Sequence, residues 1–152
     1  MKKICFIIAL LLPLSGIIVN AQVSRFTTLA FSRTSLDSND EWKPWSDWLP
    51  VTDGQIKIDK DNLRADLQID SWNTHIEMKI DSTAEGMAGQ DISLFTYYCS
   101  SINADDSQKQ YNIEILAYKK PDVAEIQFQY TIYLTEVYSS VKFLARYNEA
   151  AE

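Results

Sequence analysis

The fold is decided by Gln55-Ile56-Lys57-Ile58-Asp59-Lys60-Asp61-Asn62-Leu63-Arg64-Ala65-Asp66-Leu67-Gln68-Ile69-Asp70, continued by Ser71-Trp72-Asn73-Thr74-His75-Ile76-Glu77-Met78-Lys79-Ile80-Asp81. Apolar and polar residues alternate through three runs: Ile56 and Ile58; Leu63, Ala65, Leu67 and Ile69; then Ile76, Met78 and Ile80. A period of two puts every second side chain on one face, which is the pattern of strands with one buried side. Lys60-Asp61-Asn62 and Ser71-Trp72-Asn73-Thr74 separate the runs with residues whose side chains bond their own backbone, so the reading is of consecutive hairpins.

The same alternation extends outward. Residues 92–100 are apolar and aromatic. Tyr111, Ile113, Ile115 and Ala117 mark another strand, Ile126 to Leu134 a further one, and Val141, Phe143, Ala145 and Tyr147 the last. Residues 82–90 hold Gly86 and Gly89 without alternation and read as a loop, with room for one helical turn. Lys119-Lys120-Pro121-Asp122 suits a turn, and another is expected between Thr135 and Ser140. With residues 26–33 as the first strand, the expectation is all-β: an antiparallel up-and-down meander of about eight strands closing into a small or half-open barrel, lipocalin-like, since closure removes exposed edges. A two-sheet β-sandwich is the alternative. Leu67, Ile69, Ile76, Met78, Ile113, Ile115, Phe128, Tyr130, Val141 and Phe143 are expected to share one core.

The start of the chain follows another rule. Lys2 and Lys3 precede an apolar run from Ile4 to Val19, and Val19-Asn20-Ala21 offers small residues at the −3 and −1 positions of a cleavage site. Residues 1–21 are therefore expected to be a signal peptide and residues 22–152 a single β domain, exported to the periplasm or secreted. Removing Lys2 and Lys3 from the 14 basic residues leaves 12 against 21 acidic ones, a net charge of −9. So acidic a surface argues against nucleic acid as a partner. After removal of the signal, the sequence contains no other apolar segment long enough to span a membrane. Cys99 would remain as a lone cysteine, most simply a small buried apolar residue.

Trp42-Lys43-Pro44-Trp45-Ser46-Asp47-Trp48-Leu49-Pro50 places three of the four tryptophans in nine residues. In one reading Trp42, Trp45 and Trp48 form a platform that stacks on a sugar or flat apolar ligand, with Asp47 orienting hydroxyls. In the other a proline-stiffened connection buries its indoles against the sheet, covering one end of the barrel or pinning the first strand to the second. Buried tryptophan is the commoner use, so at least two of the three are expected to pack.

With Arg25-Phe26-Thr27-Thr28 before it and Ile56-Lys57-Ile58-Asp59 after it, the Trp-x-x-Trp-Ser-x-Trp pattern resembles a group of small exported all-β proteins of unknown function from Bacteroidota. The resemblance covers mainly residues 22–81. It implies an exported β domain and brings with it no activity, cofactor or site residue.

Motifs for chemistry are sparse. His75 is the one histidine, and a dyad with Cys99 would require both side chains in one cleft, whereas His75 falls on the polar phase of its strand. Asp59, Asp61 and Asn62 lack the remainder of a calcium loop and are read as turn caps. The mature chain has only Gly54, Gly86 and Gly89, so it holds no glycine-rich phosphate loop, and it has no Gly-x-Ser-x-Gly elbow. The sequence points to no catalytic residue, metal site or cofactor. It favours a non-catalytic binding module of the cell envelope for a small ligand or sugar. The alternatives are a protein-interaction or structural partner and a small hydrolase with an unidentified site.

Overall fold

A computed structural model describes residues 23–103, 109–118, 129–136 and 139–148; the expected signal peptide lies outside them. Among the described residues the strands are β1 (Val23–Ser35), β2 (Leu49–Pro50), β3 (Gly54–Asp59), β4 (Arg64–Ile69), β5 (Thr74–Gly89), β6 (Ile92–Ser101), β7 (Gln110–Tyr118), β8 (Gln129–Glu136) and β9 (Ser139–Asn148). Each pairs antiparallel with its neighbour in the order β2-β1-β3-β4-β5-β6-β7-β8-β9, and β1 also pairs with β9. That last ladder, from Arg25↔Asn148 to Ser35↔Ser139, closes eight strands into a barrel and excludes the sandwich.

The inward set is the one the alternation selects. Leu67, Ile69, Met78, Ile113, Ile115 and Phe143 are buried in a single core, with Ile76 and Val141 packed against it. The side chains of Phe128 and Tyr130 lie outside the described residues. Cys99 faces inward opposite Ile80 and Tyr111. Burial, and then the nearby Asp81 carboxylate, push its thiol up to about 12. A thiol so far from ionisation is a weak nucleophile.

Three expectations are corrected. Residues 82–90 are not a loop: β5 continues to Gly89, paired with β6 as far as Gly89↔Ile92. The alternation is lost there because register shifts at Asp81 and again before Gly89 change which residues face inward, and because this arm of β5 runs beyond β4 with its residues exposed, while Thr96 and Tyr97 opposite it on β6 stay buried. Leu63 is not inward. It ends the β3–β4 turn with φ 51°, half exposed. The tryptophan segment neither buries its indoles nor caps one end; what holds of that reading is that the connection is pinned to the first strand.

Residues 42–53 instead prolong β3 along the same edge of β1. Contacts run from the Leu36↔Trp42 bridge, through Lys43 N–H to Ser35 O (3.0 Å) and Ser46 N–H to Arg33 O (3.0 Å), to the Phe31↔Leu49 pair and Val51 N–H to Leu29 O (3.2 Å). The segment thus covers an edge that β3 alone leaves open. Ser32, fully buried, donates from Oγ to Ser46 O at 2.6 Å. Where the register slips, between Thr28 and Ala30, β1 takes up a bulge. There Thr28 Oγ1 accepts the Gly54 N–H at 3.1 Å, and a Cβ on residue 54 would fall on the Thr28 side chain, so only glycine fits.

Candidate functional site

The barrel is filled unevenly. Toward the turn that joins β3 to β4, Ile58, Ala65, Met78, Ile80 and Ala145 are almost fully buried. Asp59 caps that turn: its carboxylate accepts the Asn62 N–H and Nδ2–H, each at 3.0 Å. These bonds, the Asn62 side chain first, hold the Asp59 carboxyl below its ordinary value, which is the capping role read from the sequence. Lys60 lies over the Phe95 and Tyr97 rings, 5.9 Å from each centroid, and pairs with Glu85 at 3.7 Å. This end is a floor.

The opposite end is a mouth. A cavity of about 820 Å³ opens there, lined on the inside by Phe31, Leu67, Trp72, Ile76, Tyr111, Leu134, Val141 and Phe143. Polar groups collect at its rim, including Arg33, Ser35, Lys43, Thr74, Glu136 and Ser139. Glu136 is engaged by Lys109 at 3.8 Å and by Ser139 Oγ at 3.4 Å, and Lys43 has the Asp37 carboxylate near it, so the positive charge of the rim rests mainly on Arg33.

Trp72 comes from the short 3-10 turn Asp70–Trp72 between β4 and β5. Asn73 follows in the left-handed region and its N–H closes the turn on Asp70 O at 3.0 Å, a conformation asparagine tolerates. Asp53 ties the turn to the wall, accepting Ser71 N–H at 2.6 Å and Ser71 Oγ–H at 3.1 Å. Those bonds, the Ser71 hydroxyl first, lower the Asp53 carboxyl from its usual range. So held, the indole meets Phe31 edge-on at 4.6 Å and tilts over Phe143 at 6.2 Å, while 39% of Trp72 stays exposed. It forms one wall of the mouth without sealing it.

None of Trp42, Trp45, Trp48 and Asp47 lines the cavity. The three indoles are exposed, at 49, 38 and 46%. Trp45 and Trp48 lie over Lys142 of β9, with Nζ 4.5 and 5.1 Å from the ring centroids, and Lys142 is the register partner of Ser32. They reach across the outer wall, where an ammonium beneath the ring is worth about 0.5–1 kcal/mol at an exposed site. The expectation that at least two of the three bury against the sheet and cap one end is overturned: the segment follows the β1 edge through separate contacts, its indoles stay exposed, and Trp45 and Trp48 lie over Lys142 on the outer wall. What the segment gives the mouth is its smaller neighbours Lys43, Pro44 and Ser46.

The sequence reading missed Trp72. The available signal was an indole within a four-residue turn directly after inward Ile69, short enough to fold back over the barrel end. His75 and Cys99 do not meet, since His75 is exposed on the outer face of β5 and Cys99 is buried inside. No family model, curated protein or solved structure matches the chain.

Proposed function

We propose that the protein is a non-catalytic binding module whose barrel mouth takes one small ligand with an apolar body and an anionic end. The observation that carries this reading is a cavity of about 820 Å³ whose inner wall is aromatic and aliphatic and whose rim carries Arg33 and Lys43. Small-molecule sites have this volume, a mostly apolar lining and a few polar groups that fix orientation. The thiol pushed up to about 12 and the histidine on the outer wall do not form a nucleophile–base pair, which weighs against thiol-based hydrolysis. The exposed strip of Trp42, Trp45, Trp48 and Leu49 supports a second reading, a protein-interaction surface on the outer wall. Export belongs to the proposal: cleavage after Ala21 would release a chain beginning at Gln22, which intact-mass analysis of secreted material checks.

The test is titration with anilinonaphthalene sulfonate, an aromatic anion matched to the mouth. One equivalent should bind the folded protein with enhanced emission. Val141→Trp, which fills the cavity, should abolish binding, and Arg33→Glu, an exposed change, should weaken it. Emission unchanged by either variant would place the probe elsewhere and remove the reading.

A further inference from the structure

On the outside of the wall, β4 and β5 carry a cluster that the mouth does not use. His75 and Glu77 are two residues apart on β5, so the pleat turns both outward. Register sets Asp66 directly opposite Glu77 and Gln68 opposite His75. One ligand atom from each of Asp66, His75 and Glu77 lies within 4.8 Å of the other two. Asp66 and Glu77 are half-buried. Two carboxylates directly opposed in an antiparallel pair repel each other, which calls for a cation between them. Among the described residues, the basic side chains around them form no ion pair with either: Lys57, opposite Asp66 on β3, has its Nζ 3.9 Å from Asp59, Lys79, two residues on along β5, is 3.3 Å from Asp81, and Arg64, two residues before Asp66 on the same face of β4, pairs with neither carboxylate.

We propose that Asp66, His75 and Glu77 form a binding site for one divalent first-row transition ion of the zinc type. One imidazole nitrogen and two carboxylate oxygens are the donors such ions take when part of the coordination sphere stays open to water. Two carboxylates also balance the charge of a divalent ion. Ligand distances of about 2.0–2.2 Å require the three atoms to draw closer than they stand, a movement within reach of side-chain rotation on adjacent strands. Calcium and magnesium are disfavoured, because they seek oxygen-only sets. A bound ion would clamp β4 to β5 on the outer face of the strand whose inner residues Thr74 and Ile76 line the mouth.

His75 is the only histidine in the chain, so its ring signals in an NMR spectrum of untagged protein report on this site alone. One equivalent of Zn²⁺ should shift them and raise the melting temperature. Asp66→Asn combined with Glu77→Gln, near-isosteric changes whose folding circular dichroism can verify, should weaken zinc binding by at least about tenfold. Unmoved ring signals, affinity unchanged in the double variant, or an equal shift with Ca²⁺ would each overturn the proposal.

Discussion

The floor and the mouth of the barrel are the two ends of the same strands, and each is governed by a turn beside β4. At the floor, Lys60 spans Phe95 and Tyr97, and the side chains behind it are almost fully buried. At the mouth, Trp72 leans on Phe31 and Phe143 yet leaves a cavity. Alternation within a strand decides which residues face inward; it does not decide whether the interior is full. That depends on what the turns and the long β1 edge place across each end.

The comparison implies that stability lives at the floor and binding at the mouth, and the sharpest way to break it is a deep truncation. Phe26 is 2% exposed and packs edge-on against Tyr147 at 5.6 Å, away from the cavity lining. Phe26→Ala should cost about 3–5 kcal/mol in denaturant unfolding. If the variant still folds, its probe affinity should match the parent's. Gly54→Ala is next, at about 1–3 kcal/mol, because the new methyl meets Thr28 and Ile69 in a packed wall.

Trp72→Ala should reverse the pattern. Its indole is part exposed and gains from two ring contacts, so stability should fall by only about 1–2 kcal/mol while probe binding at the mouth is lost or strongly weakened. Equal losses of stability from Phe26→Ala and Trp72→Ala would erase the distinction between the ends.

Acid should loosen the mouth through Asp53. Its folded carboxyl titrates below its unfolded value, so its contribution is present above the unfolded value and is lost as pH falls through the lowered one. The unfolded value is about 3.9. Below that pH, Trp72 emission should change as Ser71 is released, and Asp53→Asn should show the altered emission already at neutral pH. Asp59 has the same sign at the floor, so acid unfolding also weakens that end; Asp59→Asn should leave the emission of Trp72 at neutral pH unchanged.

How far the sequence reveals this molecule follows from the same contrast. The barrel and its inward residues are legible because Ile56 to Ile80 alternate cleanly and short polar turns force neighbouring strands to pair. Residues 82–89 are not, since two register shifts scramble the period and an arm exposed along its whole length has no reason to alternate. The tryptophan segment draws attention by composition, but its backbone continues along the β1 edge, which no local pattern states, and that course puts Trp45 and Trp48 outside. The mouth is assembled from β1, β4, β5, β7, β8, β9 and two connections, so its convergence appears only once the barrel closes.

The smallest effect concerns the two turns themselves. Leu63 ends the floor turn at φ 51° and Asn73 ends the mouth turn at φ 48°, both left-handed. Such a backbone costs an ordinary L-residue about 1–2 kcal/mol, and asparagine less. Leu63 is 51% exposed, and its interior partner is its carbonyl, which accepts Ile80 N–H at 2.8 Å and survives any side-chain change. Leu63→Gly removes the strain, while the extra freedom of glycine in the unfolded chain takes back about 0.5–1 kcal/mol. A net gain of about 0.5–1 kcal/mol is expected for Leu63→Gly, and almost none for Asn73→Gly, measured as paired midpoints in denaturant. Equal gains at the two sites would show that asparagine is as strained as leucine, and that the mouth turn owes its shape to the Asp53–Ser71 bonds rather than to its own residue.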